Sequence, residues 1–244
     1  MASFHFSIKS GKKGTAADHA AYIAREGVFD KAEKKQDLVV KGYGNLPEWS
    51  KGNPSKFWQV ADLTERVNGS AYREYVVALP RELTTKQNIE LVEAFIEQEI
   101  GDKAYQFAVH SPSAALDSAD QTHGHIMFCD RRPDGIERGP DQQFRRYQPT
   151  NPSKGGAKKD SGGKDPATLR ESVKRLRERF ADMQNAHLEK YGHEARVDSR
   201  SNKERGIAQE PERHLGPVRI NNMTADEKEA YVNKRQTPQQ GSAQ

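Results

Sequence analysis

Apolar and polar positions alternate weakly over Ser3 to Lys9, which reads as a first strand, and a Gly-Lys turn follows at Gly11 to Gly14. The period then changes. Thr15 to Glu26 reads as an Ala-rich helix that Thr15 can cap and Gly27 can end. Residues 38–43 read as a short strand, and the Pro and Gly cluster at 44–54 as a loop closing on Asn53 and Pro54, an N-cap and first helical position. The helix they open runs to about Asn68, with Phe57, Val60, Ala61, Leu63, Thr64 and Val67 on its apolar side.

Tyr72 to Leu79 reads as a strand closed by Pro80, and Thr84 with Gln87 forms a capping-box pattern for a helix ending near Gly101. In that helix Ile89, Val92 and Ile96 repeat at core spacing. Two further strands follow, Tyr105 to His110 and His123 to Cys129. Pro133 to Lys164 is rich in Gly, Pro and Lys and too long for an ordinary connection, so it is expected to be a flexible, functional loop. Asp165-Pro166 opens a long helix with Leu169, Val173, Leu176, Phe180 and Met183 in one stripe, and Gly192 stops it. A short strand is expected around Ala195 to Asp198. The sum is an α+β domain, a two-layer sandwich of helices on a mostly antiparallel central sheet, over residues 1–218, with a disordered tail over 219–244.

Composition narrows the setting. With 34% apolar and 30% charged residues, the chain suits a modest core under a large polar surface. No apolar run reaches the roughly eighteen residues of a membrane span, and Met1 to Ser10 lacks a signal-peptide core, so a cytoplasmic protein is expected. Cys129 is the only cysteine, which excludes an intrachain disulfide and a thiolate zinc cluster and leaves metal binding to His or carboxylate. The net charge is +4, yet residues 131–179 hold fourteen Lys or Arg against seven Asp or Glu, so the remainder is net negative. Arg131, Arg132, Arg138, Arg145, Arg146, Lys154, Lys158 and Lys159, joined by Arg25, are candidate contacts to a phosphate backbone. Charge alone describes a solvated surface equally well.

Chemistry concentrates in a few positions. His123 and His125 lie two apart on one strand, so their imidazoles leave the same face, and His110 ends the strand before. If these strands pair, three imidazoles can converge on one ion, roughly 2.0–2.2 Å from each nitrogen, and leave it open positions for a phosphate oxygen. Tyr22 sits on the first helix with Asp18, His19, Arg25 and Glu26 at i−4, i−3, i+3 and i+4, among ionisable groups instead of apolar ones. Each pattern alone also fits an ordinary strand histidine pair or an exposed helix tyrosine.

Together these residues resemble the MobA/MobL relaxases, a branch of the HUH endonucleases. The likeness is carried by Ala-Ala-Tyr22-Ile-Ala-Arg25-Glu26-Gly27, then His110, then His123-Gly-His125. Supporting matches are Trp58 with Ala61-Asp62-Leu63, Glu74 ahead of Ala78-Leu79-Pro80, Asp134-Gly-Ile-Glu-Arg138, Gly192-His-Glu-Ala-Arg196 and His214-Leu-Gly-Pro217, so it covers about residues 2–218. The resemblance implies that Tyr22 attacks one phosphodiester of single-stranded DNA at a plasmid transfer origin, leaving a 5′-phosphotyrosine link and a free 3′-OH. It implies Mg²⁺ or Mn²⁺ held by His110, His123 and His125. It places Glu74 near the tyrosine as base or orienter, with Asp37 and Glu26 as weaker choices. Relaxosome accessory proteins and a type IV secretion coupling protein are the implied partners, in a bacterial cytoplasm, and passage to the recipient cell with the DNA is left open.

Some features depart from the family pattern. Gly124 stands where many relatives carry a hydrophobic residue, position 76 is Val where some carry a second acid, and twelve residues, including Asp117 and Asp120, separate His110 from His123. Two rival readings remain. A rolling-circle replication initiator or transposase of the HUH group places its tyrosine downstream of the histidine pair, where Tyr147, Tyr191 and Tyr231 are poorly set. A non-catalytic single-strand binding module would stack bases on Phe4, Phe6, Tyr72, Tyr75, Phe107 and Phe128, and it leaves the three histidines without a task.

Overall fold

In the computed structural model, residues 4–31, 36–113, 120–208, 215, 219, 220 and 222–236 are described. Five strands form one antiparallel sheet: β1 (Phe6–Lys12), β2 (Leu38–Gly44), β3 (Ser70–Ala78), β4 (Tyr105–His110) and β5 (His123–Phe128), in the spatial order β1-β3-β5-β4-β2. The helices are α1 (Ala16–Ala24), α2 (Pro54–Thr64), α3 (Thr85–Glu99), α4 (Pro166–Lys190) and α5 (Ala225–Gln236).

The side-chain period of two divides the sheet into faces with different contents. Register sets Glu74, Val76 and Ala78 of β3 beside Met127, His125 and His123 of β5, and these beside Gln106, Ala108 and His110 of β4. Helices α1 and α2 cover this face through Ala16, Ala20, Ile23, Phe57, Trp58 and Ala61. The opposite face, with Val77, Phe107, Val109, Ile126 and Phe128, packs on Leu91 and Phe95 of α3 and Leu176 and Phe180 of α4. The α+β class holds, but helices on both faces make three layers where two were expected. Strand β5, at the centre, is buried from Gly124 to Phe128.

Helix α1 is held from outside. Thr15 makes no capping bond with its side chain. Asp62 on α2 supplies that function, its carboxylate accepting from the amides of Gly14 (2.7 Å), Ala16 (3.0 Å) and Ala17 (2.8 Å). Trp58 Nε1 donates to Gln106 Oε1 (3.1 Å), and Gln106 Nε2 donates to the Ala20 carbonyl (3.0 Å), tying α2, β4 and α1 together. The Ala-rich face of α1 is what allows this close approach, since Ala16 and Ala20 are buried without needing space. Asn53 caps α2, Thr84 and Gln87 complete the capping box of α3, and Asp165 caps α4, all as the sequence predicts.

Other expectations change. β1 lies further along than Ser3 to Lys9, Ser3 itself being outside the described residues, and it takes in Gly11 and Lys12 of the segment read as a turn, because Gly11 pairs with Tyr72, leaving the turn at Lys13 and Gly14. A Cβ at Gly11 would sit 1.9 Å from Tyr72 Cε1, so only glycine lets that ring lie across the strand. Gly11→Ala should therefore displace Tyr72 and cost about 1–3 kcal/mol, measured by urea unfolding; an unchanged midpoint would refute this packing. α2 stops at Thr64, short of Val67, which is 84% exposed, and Leu63 within it is 74% exposed instead of on its apolar side. No strand forms at 195–198 among the described residues; Asn185 takes up the backbone there, accepting from Arg196 N and Val197 N and donating to the Val197 carbonyl.

The segment 133–164 is anchored at several points. Phe144, Ala157 and Arg138 are buried within it, and Arg131 at its entrance donates to the carbonyls of Arg145, Ala157 and Phe144. The tail expected to be disordered contains α5. By contact the chain divides into two compact units, Met1–Ser111 with Thr122–Ser199, and Pro112–Gln121 with Arg200–Gln244. The His214 to Pro217 motif, apart from Leu215, and Asp117 lie outside the described residues. No helix among the described residues is long and apolar enough to cross a membrane.

Candidate active site

His110 faces His123 across β4 and β5, and His125 lies two residues further along β5. One ring nitrogen from each falls within 4.8 Å of the others. Hydrogen bonds assign two of the tautomers. His110 Nε2 donates to the Ile23 carbonyl (2.7 Å), so Nδ1 keeps its lone pair, which accepts from Arg25 Nη2 (3.2 Å). His125 Nδ1 donates to Glu74 Oε1 (2.7 Å), so Nε2 is left as its ligand atom. A carboxylate behind a histidine in this way is the arrangement that orients and strengthens a metal ligand. Burial, aided by the neighbouring Arg25 charge, pushes the His110 imidazole down to about 4, so it stays neutral as a metal ligand must. Three imidazoles with ring nitrogens this close fit a divalent cation.

Glu74 is fully buried on β3, an interior strand. Burial opposes its charge, but the bonds from His125 and His19 outweigh it and bring the carboxyl down to about 2. Oε1 accepts from His19 Nε2 (2.9 Å) as well as from His125. A carboxyl so far down is a poor proton acceptor at neutral pH. His19 itself stacks on Tyr72 (5.1 Å, 8°) and beside Tyr22 (6.2 Å, 25°). The sequence shows His19 only as a polar neighbour of Tyr22; the missing signal is that Glu74 lies under the same helix face.

Tyr22 is 36% exposed, with Phe29 edge-on at 5.5 Å and the Arg25 guanidinium 4.9 Å from its ring centre. Of the weaker candidates, Asp37 is forked by Arg25 Nε and Nη2 (3.1 and 3.0 Å), and Glu26 is paired with Lys41. Burial opposes the Asp37 charge, and Arg25 lowers its carboxyl in spite of it. Tyr22, Glu74 and the three histidines are thus brought together by α1, β3, β4 and β5.

The sequence model of the MobA/MobL family matches residues 15–225. The chain belongs to this family. It is 49% identical over 211 residues to the 43 kDa relaxation protein of Salmonella typhimurium, covering 86% of this chain and 57% of that one. It is 36% identical over 222 residues to Mobilization protein A of Escherichia coli, covering 89% of this chain and 30% of that one. The chain therefore spans little more than half of one of these relatives and under a third of the other. Among solved structures, a chain reported under "Molecular Basis of Vancomycin Resistance Transfer in Staphylococcus aureus" matches with a TM-score of 0.58 at 21% identity, over 82% of this chain and all of that one. That likeness is one of fold.

The family motifs have structural tasks here. Trp58 and Asp62 anchor α1, Arg138 forks onto Asp134 (2.6 and 2.7 Å), and Arg196 forks onto Glu82 (both 2.6 Å). Gly124 points to the other face, where an added Cβ would stand 3.2 Å from Val77 and 3.4 Å from Val92. The candidate phosphate contacts divide by burial. Arg132, Arg145, Arg146, Lys154 and Lys158 are exposed. Arg25, Arg131 and Arg138 are buried, at 5%, 5% and 6% exposure, and Lys159 is committed to Glu65 and the Ser70 carbonyl. The sheet aromatics Phe6, Phe107 and Phe128 are enclosed beneath α3 and α4, which removes the stacking platform of the binding-module reading.

Proposed function

We propose that this chain is the nicking domain of a plasmid-mobilisation relaxase, cutting and rejoining one strand of transfer-origin DNA through Tyr22. The observation that carries the reading is a single connected set of side chains: Tyr22 beside His19, His19 on Glu74, and Glu74 on His125 of the three-imidazole cluster. The names of the two relatives, a relaxation protein and a mobilisation protein, support it.

His110, His123 and His125 would hold the divalent ion, Mg²⁺ or Mn²⁺, which when bound withdraws charge from a phosphate oxygen. The chain's own residues do the rest. Tyr22 Oη attacks phosphorus, the P–O3′ bond breaks, and the strand leaves with a free 3′-OH while its 5′-phosphate stays on the tyrosine. The covalent link conserves the bond, so the reverse attack by a 3′-OH rejoins DNA without another energy source. Glu74 holds His125 in its tautomer, and His19 keeps Glu74 charged. Exposed Arg132, Arg145, Arg146, Lys154 and Lys158 are the cations left to meet the phosphate backbone. The order of residues, tyrosine upstream of the histidines, favours a relaxase over a rolling-circle initiator or transposase. On this reading the chain works in the bacterial cytoplasm, with relaxosome accessory proteins and a secretion coupling protein as partners.

The deciding experiment incubates the protein with Mn²⁺ and single-stranded oligonucleotides tiled across the DNA flanking its coding sequence. A covalent adduct on a denaturing gel for one oligonucleotide, lost with chelator, is the expected result; no adduct from any of them would overturn the reading. The ligand set has its own check. His125→Ala should remove measurable Mn²⁺ binding in calorimetry, and Glu74→Gln should weaken it about 10- to 100-fold. Unchanged affinity in His125→Ala would exclude the cluster as the metal site.

A further inference from the structure

Arg25 stands in an unusual place for a cation that would touch DNA. It ends α1 at φ 54° and ψ 48°, the left-handed conformation that glycine adopts at no cost and that other residues resist. Backbone strain of this kind persists where surrounding contacts over-determine the residue. Those contacts are complete: Asp37 grips Nε and Nη2, Nη1 donates to the Tyr22 carbonyl (2.8 Å), and Nη2 lies 3.2 Å from His110 Nδ1. The guanidinium sits 4.9 Å from the Tyr22 ring centre. At 5% exposure it cannot lie along a phosphate backbone.

We infer that Arg25 is a catalytic residue whose guanidinium balances the negative charge on the Tyr22 phenol oxygen, with Asp37 as the residue that positions it. The inference rests on the nicking reading above. In the forward reaction the phenolic proton passes to water, the Oη–P bond forms, P–O3′ breaks, and the departing 3′ oxygen takes a proton from water. In rejoining, the 3′-OH gives its proton to water as it attacks, and the Oη–P bond breaks with its electron pair on the phenolate. Arg25 lies against the ring that carries that oxygen in both directions. A guanidinium does not give up its proton, so its contribution is charge already in place and not proton transfer. Asp37 holds the Nε–Nη2 edge of the fork, and the strained backbone aims it back over the ring that precedes it by three residues.

The test uses Arg25→Gly, which suits the left-handed backbone, and Arg25→Lys, which keeps the charge but cannot span Asp37 and the phenol together. Single-turnover cleavage and rejoining of a reactive oligonucleotide should both fall about a hundredfold in Arg25→Gly. Millimolar guanidinium ion should restore part of both rates. Affinity for an uncleavable single strand, measured against salt, should keep the parent's slope, because no phosphate contact is lost. Native rates in either variant, a lost rate that guanidinium does not restore, or a flattened salt slope would each overturn the assignment. Should the glycine variant melt early, Arg25→Lys decides alone, with native rates refuting the proposal and slow cleavage at unchanged affinity upholding it. Failure of the nicking reading is seen separately, as absence of adduct in the parent chain before any variant is made.

Discussion

Tyr22→Phe should abolish the covalent protein–DNA adduct while leaving fold and strand binding intact. The substitution removes one oxygen and nothing else. Phenylalanine keeps the edge-on contact with Phe29 and the place beside His19, and at 36% exposure the hydroxyl is not a buried group whose loss would unbalance the core. The lost atom is the only one able to form the link, so adduct should drop to background instead of slowing by a modest factor. Mass spectrometry of the proteolysed parent adduct should find the 5′-phosphodeoxynucleotide on the peptide containing Tyr22. A label on Tyr147 or Tyr191, or native adduct formation by the Phe variant, would refute the assignment.

Arg131→Met should have the largest effect on stability, about 3–5 kcal/mol, read by urea or thermal unfolding. Arg131 is buried against Glu65, which is 1% exposed, at 2.8 Å, and it also supplies donors to three carbonyls of the 133–164 segment. Methionine fills the volume but leaves a buried carboxylate with Lys159 (3.1 Å) and the more distant, exposed Arg66 (3.9 Å) as cations, and leaves those carbonyls short of donors. The pH dependence has a definite sign. Burial opposes the Glu65 charge, yet Arg131 and then Lys159 outweigh it and lower the carboxyl below its ordinary 4.5. A carboxylate depressed in the folded state adds stability that is complete above its unfolded value and is lost as pH falls through the folded one. The parent should therefore hold its stability to a lower pH than Arg131→Met, whose decline should begin nearer 4.5 or above. A variant within 1 kcal/mol of the parent at neutral pH would mean the cluster contributes little.

How far the chain could be read without coordinates depended on what each residue's signal reports. His110, His123 and His125 were legible because strand periodicity fixes which side chains share a face, and one pairing then brings them together. Capping residues Asn53, Thr84 and Asp165 were legible because their bonds are local. The cap of α1 was not, since Asp62 acts across 45–48 positions of sequence. Arg25, Arg131 and Arg138 look like surface cations in the sequence because a charge count says nothing of burial; the carbonyls and carboxylates that enclose them are assembled only by the fold. Leu63 and Val67 misled in the opposite direction, as apolar residues at helical spacing that lie beyond the layer they were expected to join. The two-layer estimate failed for a related reason: Ala16 and Ala20 make a packing face too small to register in a hydrophobicity pattern.

The remote cap has a dynamic consequence. Nine residues are too few for an autonomous helix, and the first amides of α1 are bonded to a side chain of α2. Their hydrogen-exchange opening therefore cannot be a private fraying event of α1. Solvent reaches Ala16 and Ala17 when Asp62 withdraws, so the helix bearing Tyr22 belongs to the same cooperative opening unit as α2. Protection of these two amides should track that of the α2 core around Trp58, giving the helix that carries Tyr22 the slow exchange of the interior although the Tyr22 side chain faces solvent.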